Sequence, residues 1–257
     1  MTYFSPVETI LTDLEEGVLT ISLNRPDSLN ALRPEMISAI GNIVGLASSD
    51  HEVSVIILDG IGRAFCAGVD LKVLQGVDPH AGKIGNAFDE PASSAWSAIR
   101  NCDCPVIAKV HGACFTGALE LALHCDLIYT TEDTKFGDTH AKFGLRPTWG
   151  MSQTLSRAIG VRHAKELSFT ARTITGKEAV KLGLVNAAVP NKASLDELVS
   201  IRTGQIVSNS QSTVTAMKDL YGISQLGLSL DNSLEVELNR EYPSIKDTNE
   251  RLSSFKS

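Results

Sequence analysis

The chain has 257 residues, 43% hydrophobic and 21% charged, which is the make-up of a globular protein with enough chain for a sizeable core. Its formal net charge of −7 argues against a nucleic-acid partner, because phosphate binding draws on clustered Lys and Arg. No apolar run reaches the roughly 20 residues that span a bilayer, so no membrane partner is expected.

The opening Met1-Thr2-Tyr3-Phe4-Ser5-Pro6 has no basic stretch followed by an apolar one, so no secretory leader is visible and a cytoplasmic location is expected. The five cysteines, Cys66, Cys102, Cys104, Cys114 and Cys125, are odd in number and have no C-x-x-C spacing. Cys102 and Cys104 are too close in sequence for ordinary disulfide geometry, so free thiols in a reducing compartment are expected. Without a cysteine cluster or an H-E-x-x-H pattern, a metal is not indicated. No serine sits in a G-x-S-x-G turn, which weakens an α/β-hydrolase reading.

Leu19 to Leu23 alternates as a half-buried strand after Gly17. Asn24-Arg25-Pro26-Asp27 breaks it, and Pro34 opens a helix with apolar positions at Ile37, Ile40, Val44 and Leu46. Val55-Ile56-Ile57-Leu58 suits a buried strand that ends at Gly60 and Gly62. Gln75 to Pro91, with three glycines and two prolines, reads as a long lid or binding loop. A helical stretch near Trp96 to Arg100 leads to a strand at Val106 to Val110. A helix from Gly117 to Cys125 and a strand at Leu127 to Thr130 follow. Strands alternating with helices predict an α/β layered domain. From Trp149 onward the pattern turns helical: Ser152 to Ile159, His163 to Phe169, Lys177 to Leu182, Leu195 to Val207, Thr213 to Tyr221 and Leu230 to Tyr242. The division is a core over residues 1–190 and a helical module over 191–257.

Two segments carry chemistry. Arg63-Ala64-Phe65-Cys66-Ala67-Gly68-Val69-Asp70-Leu71-Lys72 follows a strand, passes through small residues and turns helical. Gly112-Ala113-Cys114-Phe115-Thr116-Gly117-Ala118-Leu119-Glu120 does the same. Small residues let backbone N–H groups approach a ligand, and a helix N-terminus favours negative charge. Either segment alone also suits a tight connection. Glu120, one turn into its helix, also suits a residue complementing the macrodipole.

Together the segments resemble the enoyl-CoA hydratase/isomerase (crotonase) family. The first is similar to its F-x-A-G-x-D-[LI]-K motif. The second, followed by Cys125-Asp126, is similar to N-G-x-x-x-G-G-G-x-E-[LI]. Leu23-Asn24-Arg25-Pro26 with Asn30-Ala31-Leu32, and Thr175-Gly176 through Leu182-Gly183-Leu184-Val185, match two further motifs. The resemblance implies a spiral of ββα units with a C-terminal helical module at the interface of a homotrimer or dimer of trimers.

It implies that the N–H groups of Val69 and Gly117 form an oxyanion hole for an acyl-CoA thioester, with Glu120 as acid/base. Coenzyme A would enter as part of the substrate, with no separate cofactor. Ala67 and its neighbours Gly68 and Leu71 would meet the pantetheine arm, Asp70 would order the loop or cap its helix, and Lys72 suits either a phosphate screen or a solvated lysine. Arg25 would lie near the nucleotide end, and Phe255 and Lys256 resemble residues that complete a neighbouring subunit's CoA site. Where the family has a second glutamate, this chain has His140. Imidazole also exchanges protons at neutral pH, so a Glu120–His140 pair can add water to a 2-enoyl thioester. The substitution equally suits a Δ3–Δ2 isomerase using one carboxylate, or a histidine that is only structural. A binding protein for acyl-CoA without turnover is the reading outside enzymes. Asp138, two residues away, matches no catalytic position of the family.

Overall fold

The computed structural model describes Tyr3, residues 5–76 and residues 80–253. The strands are β1 (Ile10–Glu15), β2 (Val18–Leu23), β3 (Val55–Gly60), β4 (Val106–Val110), β5 (Ala113–Phe115), β6 (Leu127–Thr131), β7 (Lys135–Gly137), β8 (Ile174–Thr175) and β9 (Ala187–Val189). The helices are α1 (Pro34–Ser48), α2 (Leu71–Leu74), α3 (Asn86–Arg100), α4 (Gly117–Leu123), α5 (Met151–Ile159), α6 (Val161–Thr170), α7 (Gly176–Leu182), α8 (Lys192–Ser208), α9 (Gln211–Ile223), α10 (Leu230–Asn239) and α11 (Thr248–Ser253).

Val55-Ile56-Ile57-Leu58 is apolar at every position because both faces of β3 are covered. Side chains alternate across a strand, so Ile56 and Leu58 join the core beneath α1, α3 and α4. Val55 and Ile57 face the other way and pack with Ile107, Tyr129, Leu195 and Val199, where α8 closes the second face. The main sheet runs β1-β2-β3-β4-β6-β9, parallel except for the β1–β2 hairpin.

A second sheet, β5-β7-β8, takes the chain as it leaves the first. Strand β4 passes through Gly112 into β5 and then α4; β6 passes into β7 by the same logic. After β3 the chain makes one bridge, Cys66 to Cys114, and after β2 another, Leu32 to Val69. Each unit is therefore a long strand, a short extended stretch and a helix. The short stretches lie side by side, and the site is built there.

One expectation needs correction. The segment from Gln75 to Pro91 is not a loop throughout: α3 begins at Asn86 and carries Pro91 inside it. Phe88, Ala92, Ala95, Trp96 and Ile99 bury one face of that helix, and this packing outweighs the ladder bond that Pro91 cannot donate. His124 lies at the C-terminal end of α4. It is buried, stacks on Trp96, and bonds Arg100 and the Trp149 carbonyl.

Besides the apolar packing of α8, a half-buried cation ties α9 to the core. Lys218 Nζ on α9 donates to the carbonyls of Ile99 and Cys104 and to Asp126 Oδ2. Among the described residues no helix is long and apolar enough to cross a membrane.

Helices α1 and α3 touch at Gly41, where an added Cβ would lie 2.8 Å from the Ala95 Cα. Gly41→Val should therefore push the helices apart and cost about 1–3 kcal/mol, measured by equilibrium denaturation in urea.

Candidate active site

Positioning begins with glycine. Gly68 has φ +104°, and a Cβ there would strike the Phe115 carbonyl oxygen at 2.8 Å and approach the Gly117 nitrogen to 3.9 Å. Only a bare α-carbon lets the 66–70 loop lie against the 115–117 turn. Thr116 adopts φ 48°, ψ −107°, a conformation strained for a residue with a β-carbon. Its N–H donates to the Gly137 carbonyl at 2.9 Å, and its hydroxyl accepts from the Thr139 N–H and lies 2.5 Å from the Thr139 hydroxyl. These bonds hold the strained turn and tie it to the segment that carries His140.

The Leu32–Val69 bridge sets the direction of the first loop. Leu32 N–H donates to the Gly68 carbonyl and Asp70 N–H to the Leu32 carbonyl, so the intervening Val69 N–H points away from that ladder. Gly117 is the first residue of α4, where the N–H has no acceptor within the helix. Both residues line one cavity of about 380 Å³, and a Cβ on Gly117 would come 3.2 Å from the Val69 side chain. A polarised oxygen in this cavity can thus meet two backbone donors.

Ala67, Gly68, Leu71, Glu120 and His140 also line the cavity, with Phe115, Leu145 and Trp149 supplying apolar wall. Trp149 closes over Gly117, where a Cβ would sit 2.7 Å from its ring, and its indole N–H donates to Asp89 at 3.0 Å.

The other expected residues lie behind or beside the cavity. Asp70 caps α2 by accepting from the Lys72 N–H at 3.0 Å. Its other oxygen takes Arg25 at 2.8 Å and Arg33 at 3.3 Å. Burial raises the Asp70 pKa, but the donors Arg25, Lys72 and Arg33 outweigh it and hold the carboxyl below its ordinary range. Arg25 also donates to the Ala31 carbonyl, so it braces the loop from beneath rather than lining the cavity. Lys72 is exposed on α2, and Phe255 and Lys256 lie outside the described residues.

Glu120 is 1% exposed. One oxygen accepts the Met151 N–H at 3.0 Å from the start of α5, which leaves the other facing His140 Nε2 at 3.9 Å. Burial pushes its pKa up to about 7, against the pull of His140 and the Met151 N–H. A carboxyl poised near neutrality can both give and take a proton. His140 is buried too, its Nδ1 lying 2.7 Å from Asp138 Oδ1. Sequence reasoning passed over Asp138 as a partner of His140. The available signal was the D-x-H spacing, which brings a carboxylate back onto a ring two residues on.

A buried carboxyl of raised pKa, opposed by an imidazole and sharing a cavity with the Val69 and Gly117 backbone, suits the movement of protons beside a polarised carbonyl. The family model described as "Enoyl-CoA hydratase/isomerase" matches residues 13–256, and the chain belongs to that family. A protein of Arabidopsis thaliana described as "Probable enoyl-CoA hydratase 1, peroxisomal" is 35% identical over 226 residues, covering 88% of this chain and 82% of its own. Another from that plant, described as "Delta(3,5)-Delta(2,4)-dienoyl-CoA isomerase, peroxisomal", is 33% identical and covers 85% and 82%. The crystal structure of an enoyl-CoA hydratase from Bacillus anthracis superposes with a TM-score of 0.90 at 31% identity, covering 97% and 96%. The expected α/β crotonase fold is thereby established.

The folded protein holds the Glu120 proton more tightly than an unfolded chain, in which the carboxyl titrates at its ordinary 4.5. Stability from this group is fully present below pH 4.5 and lost as pH rises through about 7. Glu120→Gln should therefore be more stable than the parent at pH 8, by roughly 2–4 kcal/mol, with the gain fading toward acid pH in denaturant titrations.

Proposed function

We propose that the protein is a 2-enoyl-CoA hydratase. One observation carries the reading: Glu120, His140, Val69 and Gly117 line one cavity, with Glu120 Oε2 3.9 Å from His140 Nε2. In the hydration direction the thioester oxygen accepts from those two donors. His140 Nε2 takes a proton from water as the water oxygen bonds to C3. The electron pair of the double bond moves through C2 onto the carbonyl oxygen, and Glu120 delivers its proton to C2. After release, the imidazolium gives its proton to solvent and the Glu120 carboxylate takes one from solvent, which resets the pair. Each oxyanion donor is worth about 2.7–4 kcal/mol in such a transition state.

The reaction moves only protons and water, so it calls for no cofactor beyond the CoA already carried by the substrate. Lys142 and Arg146, exposed where they line the cavity, suit the phosphates of that group. The free thiols fit a reducing compartment such as the cytoplasm.

Incubation with crotonyl-CoA and with a trans-3-enoyl-CoA tests the reading. Hydration of the first, lost by roughly 10²–10⁴-fold in Glu120→Gln, is the expected result. Isomerisation of the second without hydration of the first would instead make the protein a Δ3–Δ2 isomerase. Acyl-CoA affinity that survives Glu120→Ala, with no turnover of either substrate, would make it a binding protein.

We also propose a homotrimer or a dimer of trimers. Helix α10 buries no residue among those described, and Leu230, Leu234 and Leu238, one turn apart, are 73%, 54% and 84% exposed. Such a stripe is the mark of a face that another subunit covers. Leu234→Asp should shift the mass seen by light scattering toward the monomer.

A further inference from the structure

Asp138 has no part in the chemistry just described, yet it is 1% exposed and carries a charge-bearing group into the interior. One of its oxygens, Oδ1, meets both the His140 N–H at 3.1 Å and the ring nitrogen Nδ1 at 2.7 Å. Burial raises its pKa, but the hydrogen bonds from the His140 ring and from Ser168 outweigh it and hold the carboxyl below the ordinary range. An ionised carboxylate only accepts hydrogen bonds, so the ring nitrogen facing it must be the one that carries hydrogen. In a neutral imidazole the other nitrogen then presents its lone pair.

We propose that Asp138 is a positioning residue: it locks His140 in the Nδ1–H tautomer and turns a bare Nε2 toward the cavity and Glu120. The inference rests on the reading of His140 as the partner of Glu120. Three further observations support it. Nε2 lies 3.9 Å from Glu120 Oε2, beyond a direct hydrogen bond, so the two groups reach a reacting molecule from separate points. Thr139, between Asp138 and His140, is bonded to Thr116 at the oxyanion turn, so the dyad is in register with the Gly117 donor. Behind the ring, a second cavity of about 520 Å³ is lined by both Asp138 and His140. The charged groups facing the ring are Glu120 from α4 and Asp138 from its own segment. Lys165 of α6, Lys142 and Arg146 line the two cavities around it.

The test uses the full-length protein with [15N]histidine, the His140 signal being assigned by its absence in His140→Gln. In the pH range where the ring is neutral, the parent should show an unprotonated Nε2 and a protonated Nδ1. Asp138→Asn, which can also donate to the ring, should populate the opposite tautomer and lower kcat for crotonyl-CoA hydration by roughly 10²–10⁴-fold, with KM within about threefold. Asp138→Glu should recover part of both signals, and serves as the variant if the Asn form fails to fold. A merely structural role would lower yield and melting temperature but leave tautomer and kcat of the folded fraction intact, and that result would overturn the proposal. The spectrum does not depend on turnover. A parent protein that hydrates nothing, while its tautomer still follows residue 138, would refute the hydratase reading and leave the role of Asp138 in place.

Discussion

The architecture turns on the contact between two backbones at Gly68. The 66–70 loop leaves β3 and the 115–117 turn leaves β5, and they approach until no β-carbon fits between Gly68 and the Phe115 carbonyl. Everything that makes the site useful is set from that contact. Val69 is fixed by its bridge to Leu32, Gly117 by the helix it opens, and Trp149 by the bare face of Gly117 against which its ring lies. The donors are peptide groups, so their direction is a property of the fold and not of a rotamer. Such an arrangement needs no reorganisation when charge develops. The ion pairs of Asp70 with Arg25 and Arg33 brace the same loop from outside the cavity.

The second constraint is the burial of charge. Glu120, Asp138 and His140 are each under a tenth exposed. A lone carboxylate in that setting would protonate or drag in water. Glu120 goes partway toward protonation, whereas Asp138 is held ionised by donors from His140 and Ser168. Two carboxyl groups flanking one ring are thus pushed in opposite directions. Divergence of this kind separates a proton donor from a charge that only orients its neighbour. The strained Thr116 belongs to the same balance. Its cost, of order 1–3 kcal/mol, is tolerated because the Gly137 carbonyl and Thr139 over-determine the turn.

Much of this was legible in the sequence, and the gaps have physical causes. The long strands β2, β3, β4 and β6 announced themselves by alternation or by continuous apolar character, and the motif glycines marked the two loops. The short strands β5, β7 and β8 did not. Two or three residues carry no periodicity, and their pairing is decided by where the longer strands deliver them. Pro91 hid the first turns of α3, because a ring that breaks helices on average is accepted where Phe88, Ala92 and Trp96 bury a face. Arg25 was legible as a motif residue but not as a brace, since its partner Asp70 is 45 positions away in the chain. Asp138 is legible as a carboxylate but not as a partner of His140, since the contact depends on how the 137–140 turn folds back and not on residue type.

That distinction bears on the histidine itself. Consider a glutamate at position 140 with Asp138 unchanged. Three carboxyl groups would then share one buried space, with the oxygen of Asp138 that now lies 2.7 Å from an imidazole facing another acid. Like charges so close cannot all ionise, and one or two would be held protonated at neutral pH. Imidazole removes the conflict. Its Nδ1–H gives Asp138 a donor, and its Nε2 faces Glu120 without adding negative charge. Asp138 and His140 are therefore a matched pair rather than two independent choices. The ring thus stands between two buried carboxyl groups, one held ionised by its donors and the other pushed toward protonation by burial.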